Sequence, residues 1–145
     1  MLIAGAGQLG SRYLQGLRAV SSPLSVVVCD PATTSLKFAQ GRWEEANPAA
    51  NHQEPAFVHS LAEARPSSGL GFNIAIVSTS AGPRREVMEL ISKAVPVRYW
   101  ILEKLLAQSS SDVRAMLGSI ASPAAAFVNT PRRIMGGYAE LRRRL

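Results

Sequence analysis

Apolar positions along this chain fall into two alternating patterns. Short apolar runs occur at 1–4, 26–29, 56–58, 74–77, 97–102 and 124–128. Runs this short and nearly unbroken suit strands buried on both faces of a parallel sheet. Between them the apolar residues recur at helical spacing. Leu9, Tyr13, Leu14, Leu17 and Val20 share one face, followed by Leu36, Ala39, Trp43 and Ala46. Val87, Leu90, Ile91 and Ala94 form a third stripe, and Val113, Met116, Leu117, Ile120 and Ala121 a fourth. A fifth, Ile134, Tyr138, Leu141 and Leu145, occupies the tail. The breakers sit between these blocks: Ser21-Ser22-Pro23, Asn47-Pro48 and the loop 65–71, with a brief helical turn at 61–64. Pro83 stands where a first helical turn tolerates it, and the serines 109–111 precede a helix as caps do. Strand and helix alternate throughout, which predicts one α/β domain over 1–145 built on a doubly wound, mostly parallel sheet.

The connection between the first strand and the first helix reads Gly5-Ala6-Gly7-Gln8-Leu9-Gly10. In a strand–turn–helix context this is a dinucleotide-binding loop of Rossmann type. Gly5 permits the tight turn, Gly7 lets a pyrophosphate approach bare backbone, and Gly10 allows the helix to pack closely on the strand. The phosphates then face unpaired N–H groups and the positive end of the helix dipole. Asp30 ends the second strand, about 20 residues on, where a carboxylate accepts the ribose hydroxyls; this points to NAD rather than NADP. Ser78, Thr79 and Ser80 close the fourth strand at the end where open sheets bind ligands. The cofactor-binding candidates from the residues alone are therefore Gly5, Gly7, Gln8, Leu9, Gly10, Asp30, Ser78, Thr79 and Ser80.

Composition narrows the class. The chain has 145 residues, 47% hydrophobic and 18% charged, as a globular domain does. No apolar run reaches the 18 or so residues of a membrane span and the N-terminus lacks a signal-peptide layout, so the expectation is a cytoplasmic protein without a membrane partner. Cys29 is the sole cysteine and only His52 and His59 accompany it, leaving no metal-ligand cluster; both histidines read as ordinary surface residues. Most of the net charge of +6 comes from the tail, where Arg132, Arg133, Arg142, Arg143 and Arg144 crowd together. Without interleaved aromatics those arginines suit a solvated helix face or a surface meeting another domain, not a nucleic-acid site.

Ile101-Leu-Glu103-Lys104-Leu-Leu-Ala107 resembles a family signature. The chain is similar to the N-terminal domain of the glucose-fructose oxidoreductase and inositol dehydrogenase (Gfo/Idh/MocA) superfamily, with Leu105 where a Glu-Lys-Pro motif has its proline. The segment 73–79 is similar to the family's strand and cofactor loop, Arg84 stands where many members have histidine, and 127–133 with Tyr138 and Leu141 looks like the approach to a second domain. The resemblance spans the chain. It implies hydride transfer between NAD and a hydroxyl or carbonyl carbon of a sugar, cyclitol or sugar nucleotide. It also implies that Lys104 is the catalytic residue of this domain, with Glu103 and Lys104 beside the cofactor. The family's substrate pocket belongs to a second domain absent from this chain, so substrate selection is expected to come from further sequence or another chain. The alternative is a binding module that senses NAD(H) or a nucleotide. Asp112 is expected to support a helix N-terminus. The apolar stripe of the tail is expected either to fold back on the sheet or to join a second copy, giving a homo-oligomer such as a homodimer.

Overall fold

The computed structural model describes residues 1–121, 123–130 and 135–144. Its elements follow in the order β1 (Leu2–Ala4), α1 (Gln8–Leu17), β2 (Val27–Cys29), α2 (Thr33–Glu45), β3 (Ala56–Val58), β4 (Phe72–Val77), α3 (Ala81–Ala94), β5 (Val97–Glu103), α4 (Ser110–Gly118), β6 (Ala125–Asn129) and α5 (Gly136–Arg144). The six strands form one parallel sheet ordered β3-β2-β1-β4-β5-β6. The chain therefore winds outward from β1 to one edge, returns to β4 beside β1, and winds to the other edge. This is the Rossmann-type arrangement, and the strand order reverses between β1 and β4, at whose C-terminal ends a crevice opens.

Period-two alternation sends successive strand residues to opposite layers. Ile3, Val28 and Ile76 meet Leu14 of α1 and Leu36, Ala39 and Trp43 of α2. Leu2, Ala4, Val27 and Val77 pack on the other face with Met88 and Ile91 of α3 and Met116 of α4. Trp43 is held on several sides. Its Nε1 donates to Glu54 at 3.1 Å, the Arg18 guanidinium lies 4.8 Å from its ring, and His52 packs edge-on at 5.8 Å. His52 is thus half-buried and bonded to the Arg18 carbonyl at 3.0 Å, which corrects its reading as an ordinary surface residue; His59 is exposed.

The helical stripes are corrected in phase. On α3 the buried positions are Arg84, Met88 and Ile91, while Leu90 is 49% exposed and Ala94 is exposed. Leu90 and Ala94 instead flank a cleft on that side of α3. Leu9 lies outside the core for a similar reason, Val20 falls beyond the end of α1, and on α4 Leu117 and Ala121 are exposed, leaving Met116 as the buried residue. The capping prediction for α4 holds: Ser109 Oγ accepts from the Asp112 N–H at 3.1 Å, with Asp112 in the first turn.

At the β6 edge apolar residues are exposed among the described residues. Ala125, Ala126 and Phe127 are exposed, and so are Tyr138 and Leu141 of α5, at 49% and 55%. Tyr138 and Leu141 therefore do not fold back on the sheet, which leaves the other arm of the expectation, a second copy of the chain; Ile134, Leu145, Arg132 and Arg133 lie outside the described residues. Arg143 and Arg144 pair with Glu140 at 2.9 and 2.8 Å on their own helix, as a solvated face does. Among the described residues, no helix is long and apolar enough to cross a membrane.

Candidate functional site at the carboxyl edge of the sheet

The glycine loop joins β1 to α1 at the point where the strand order reverses. Gly5 has φ +97°, a conformation that L side chains rarely adopt, and its N–H donates to the Cys29 carbonyl at 2.8 Å. Gly10 sits beneath it, so close that an added Cβ would lie 1.8 Å from the Gly5 carbonyl oxygen. A Cβ on Gly7 would meet nothing within 4 Å. One glycine is thus required by packing, while the other leaves open space in front of backbone. No side chain caps α1, and its first bond runs from the Ser11 N–H to the Gly7 carbonyl at 2.9 Å. The N–H groups of Gln8, Leu9 and Gly10 are left without intrahelical acceptors, the arrangement that favours an anion.

Three side chains fix this loop. Asp30 accepts from the Ala6 N–H at 2.7 Å through Oδ2 and from the Ala32 N–H at 2.9 Å through Oδ1. Each oxygen retains acceptor capacity for a further donor. Ser78 turns its hydroxyl onto the Gly5 carbonyl at 2.7 Å, bracing the turn from β4. Arg42, which sequence reading passed over, reaches from α2 to the Gln8 carbonyl at 3.0 Å, the Gln8 side-chain oxygen at 2.9 Å and Ser11 Oγ at 2.8 Å. An arginine on a polar helix face gives no sequence signal for such a reach.

A second cluster organises the ends of β4 and β5. Arg84 is 1% exposed, and its guanidinium donates to the carbonyls of Thr79, Glu103, Leu105 and Leu106, the Glu103 bond being 2.6 Å. It ties the two loops that follow the strands into one body. Burial lowers the guanidinium pKa from its usual value, and the negative charge of Glu103 opposes that shift. Glu103, 4% exposed, accepts through Oε1 from the Tyr13 hydroxyl and from Asn129 Nδ2, the latter at 2.8 Å. Lys104 follows it, exposed, through a cis peptide to Leu105. Among the described residues Lys104 makes no salt bridge.

Two clefts open beside the glycine loop. One, about 510 Å³, is largely apolar and is bounded by Gly5, Asp30, His59, Thr79 and Leu90. Within its wall, burial and the charge of Asp30 push the Cys29 thiol up to about 11. Thr79 Oγ1 is buried there without a hydrogen-bond partner among the described residues. The other cleft, about 440 Å³, is bounded by Leu9, Arg12, Tyr13, Glu103, Lys104 and Asn129. The structure thus gathers Gly5, Asp30 and Thr79 around one cleft and Leu9, Glu103 and Lys104 around the other, with Gly7 and Gly10 in the loop and helix start between β1 and α1. Ser80 precedes α3 as its exposed N-cap residue without a side-chain cap bond.

No family model and no curated protein matches the chain. Among solved structures it is similar to an oxidoreductase from Agrobacterium radiobacter in complex with NAD+, L-tartaric acid and magnesium, with 19% identity, a TM-score of 0.61 and coverage of 91% of this chain and 35% of that one. It is also similar to the WlbA dehydrogenase from Bordetella pertussis in complex with NADH and UDP-GlcNAcA, with 17% identity, a TM-score of 0.69 and coverage of 98% of this chain and 40% of that one. At these identities the likeness is one of fold. The chain spans 35% and 40% of the lengths of these two structures.

Proposed function

We propose that this chain is the NAD(H)-binding domain of an oxidoreductase of the Gfo/Idh/MocA kind. The observation that carries the reading is the open face at Gly7, set between an uncapped helix N-terminus and a carboxylate anchored on the same loop. The donor set fits a dinucleotide. Backbone N–H groups of α1 hold the pyrophosphate, Asp30 accepts from the adenine ribose, and the apolar cleft beside Thr79 takes the adenine. Gln8, Ser78 and Ser80 shape that side, while Leu9, Glu103 and Lys104 line the cleft for the nicotinamide end.

When bound, NAD supplies the hydride acceptor for oxidation of a sugar, cyclitol or sugar-nucleotide hydroxyl, or in reduced form the donor for the reverse. Lys104 hydrogen-bonds the reacting oxygen and stabilises negative charge developing there. Its ammonium is free for this because no carboxylate claims it among the described residues. Closure of the substrate pocket and a partner acid or base come from a second domain, in line with the share of the similar structures that this chain spans. The apolar residues bared on β6 and α5 then meet that domain or a second copy of the chain.

Calorimetric titration with NADH and NADPH tests the reading. The wild-type chain binds NADH at least tenfold more tightly, because Asp30 repels a 2′-phosphate and no arginine immediately follows it. Gly7→Val abolishes binding with little loss of stability, since its side chain projects into the cofactor's place and not into protein. Equal affinity for both cofactors would contradict the role of Asp30, and undiminished binding by Gly7→Val would contradict the placement of the pyrophosphate.

A further inference from the structure

Helix α1 and strands β5 and β6 are joined by one partly buried polar cluster that the cofactor reading does not require. Glu103 Oε1 receives two donors, the Tyr13 hydroxyl from α1 and Asn129 Nδ2 from β6, and Asn129 Nδ2 also donates to the Tyr13 oxygen. The three residues close a triangle across 90 positions of sequence between Tyr13 and Glu103 and 26 between Glu103 and Asn129. A carboxylate that is 4% exposed, yet lines a cleft, has little freedom to turn. Its second oxygen, Oε2, makes no hydrogen bond among the described residues. Burial, reinforced by the hydrogen bond and charge of Glu103, raises the Tyr13 pKa, so the phenol stays a neutral donor.

We infer that Tyr13 and Asn129 are positioning residues: by occupying Oε1 they aim Oε2 of Glu103 into the cleft beside Lys104, as the acceptor for an N–H or O–H donor on the nicotinamide riboside end of NAD(H). This rests on the proposed cofactor reading and adds to it the residues that orient the contact. A fixed acceptor loses less freedom on binding than a mobile one, so the orienting bonds appear in affinity. Their effect is confined to one end of the cofactor. The adenosine end meets Asp30 and the apolar cleft, on the far side of the glycine loop.

The test compares NADH with ADP, which carries the adenosine and diphosphate but no nicotinamide riboside. In the full chain, Tyr13→Phe and Asn129→Ala each weaken NADH by about tenfold, the size of a lost hydrogen bond to a charged group, and leave ADP within about twofold of wild type. ADP affinity also reports folding, because a general loosening of the domain weakens both ligands together. If the wild-type chain binds both ligands and the variants weaken neither, or both equally, the positioning role is overturned while the cofactor reading stands. If the wild-type chain binds neither, the cofactor reading falls and the inference with it.

Discussion

Gly10→Ala lowers the unfolding midpoint by about 10 °C and removes cofactor binding with it. The expectation follows from an added Cβ lying 1.8 Å from the Gly5 carbonyl oxygen and 2.9 Å from its carbon, both backbone atoms that no rotamer change can move. Relief requires α1 to withdraw from β1, opening the layer that Leu14 and Ile3 share. Overpacking of this kind costs about 3 kcal/mol or more, which for a chain of this size corresponds to about 10 °C. Thermal unfolding followed by circular dichroism measures it. A midpoint within about 2 °C of wild type would mean that the close approach of helix and strand is wrong. Gly16→Ala, where a Cβ would meet nothing within 4 Å on the same helix, is the matched control and should be neutral or slightly stabilising.

Arg84→Met is the second large effect. Methionine fills much of the same volume but leaves the carbonyls of Thr79, Glu103, Leu105 and Leu106 without their shared donor. Replacing a buried charge by an apolar side chain can be neutral when its partners leave too, but these partners are backbone and remain. The expected loss is about 3 kcal/mol, concentrated in the loops after β4 and β5. Amide hydrogen exchange reads this locally, with faster exchange around Thr79 and at 103–107 while the β1–β2 core keeps its protection. Arg84→Lys should recover part of the stability through the three donors of an ammonium. Unchanged exchange in Arg84→Met would show that the guanidinium is not what joins the two loops.

The parts of this molecule legible in the sequence are those set by local backbone demands. Gly5 and Gly10 have no substitutes at their positions, so the turn leaves its mark in the residue types themselves. The strands were legible for a related reason: a strand covered on both faces must be apolar at consecutive positions, as at Val27–Cys29. Helix phase was less so. On α3 the apolar residues Leu90 and Ala94 border a cleft, and the inward place one turn before Met88 is taken by Arg84. Periodicity locates an apolar face but does not say that one flank of it stays open. Arg84 was invisible as a core residue because its partners are carbonyls from two loops distant in sequence. The Tyr13–Glu103–Asn129 triangle escaped for the same reason, since nothing at any one of the three positions announces the other two. Resemblance supplied Glu103 and Lys104 as candidates; the structure adds that Glu103 is buried and held while Lys104 is exposed beside it.

The central claim is that a dinucleotide lies across the carboxyl edge of the sheet, from Asp30 over the glycine loop to Lys104. Titrating NADH into isotopically labelled chain and following backbone amides by NMR tests it most directly. The account predicts saturable shifts at Ala6–Gly10, Asp30, Thr79 and Lys104, with little change at the opposite ends of the strands around Ser25, Ser68 and Phe72. Shifts confined to that opposite edge, where clefts of about 210 and 450 Å³ open, or no saturable shifts at millimolar NADH, would contradict it.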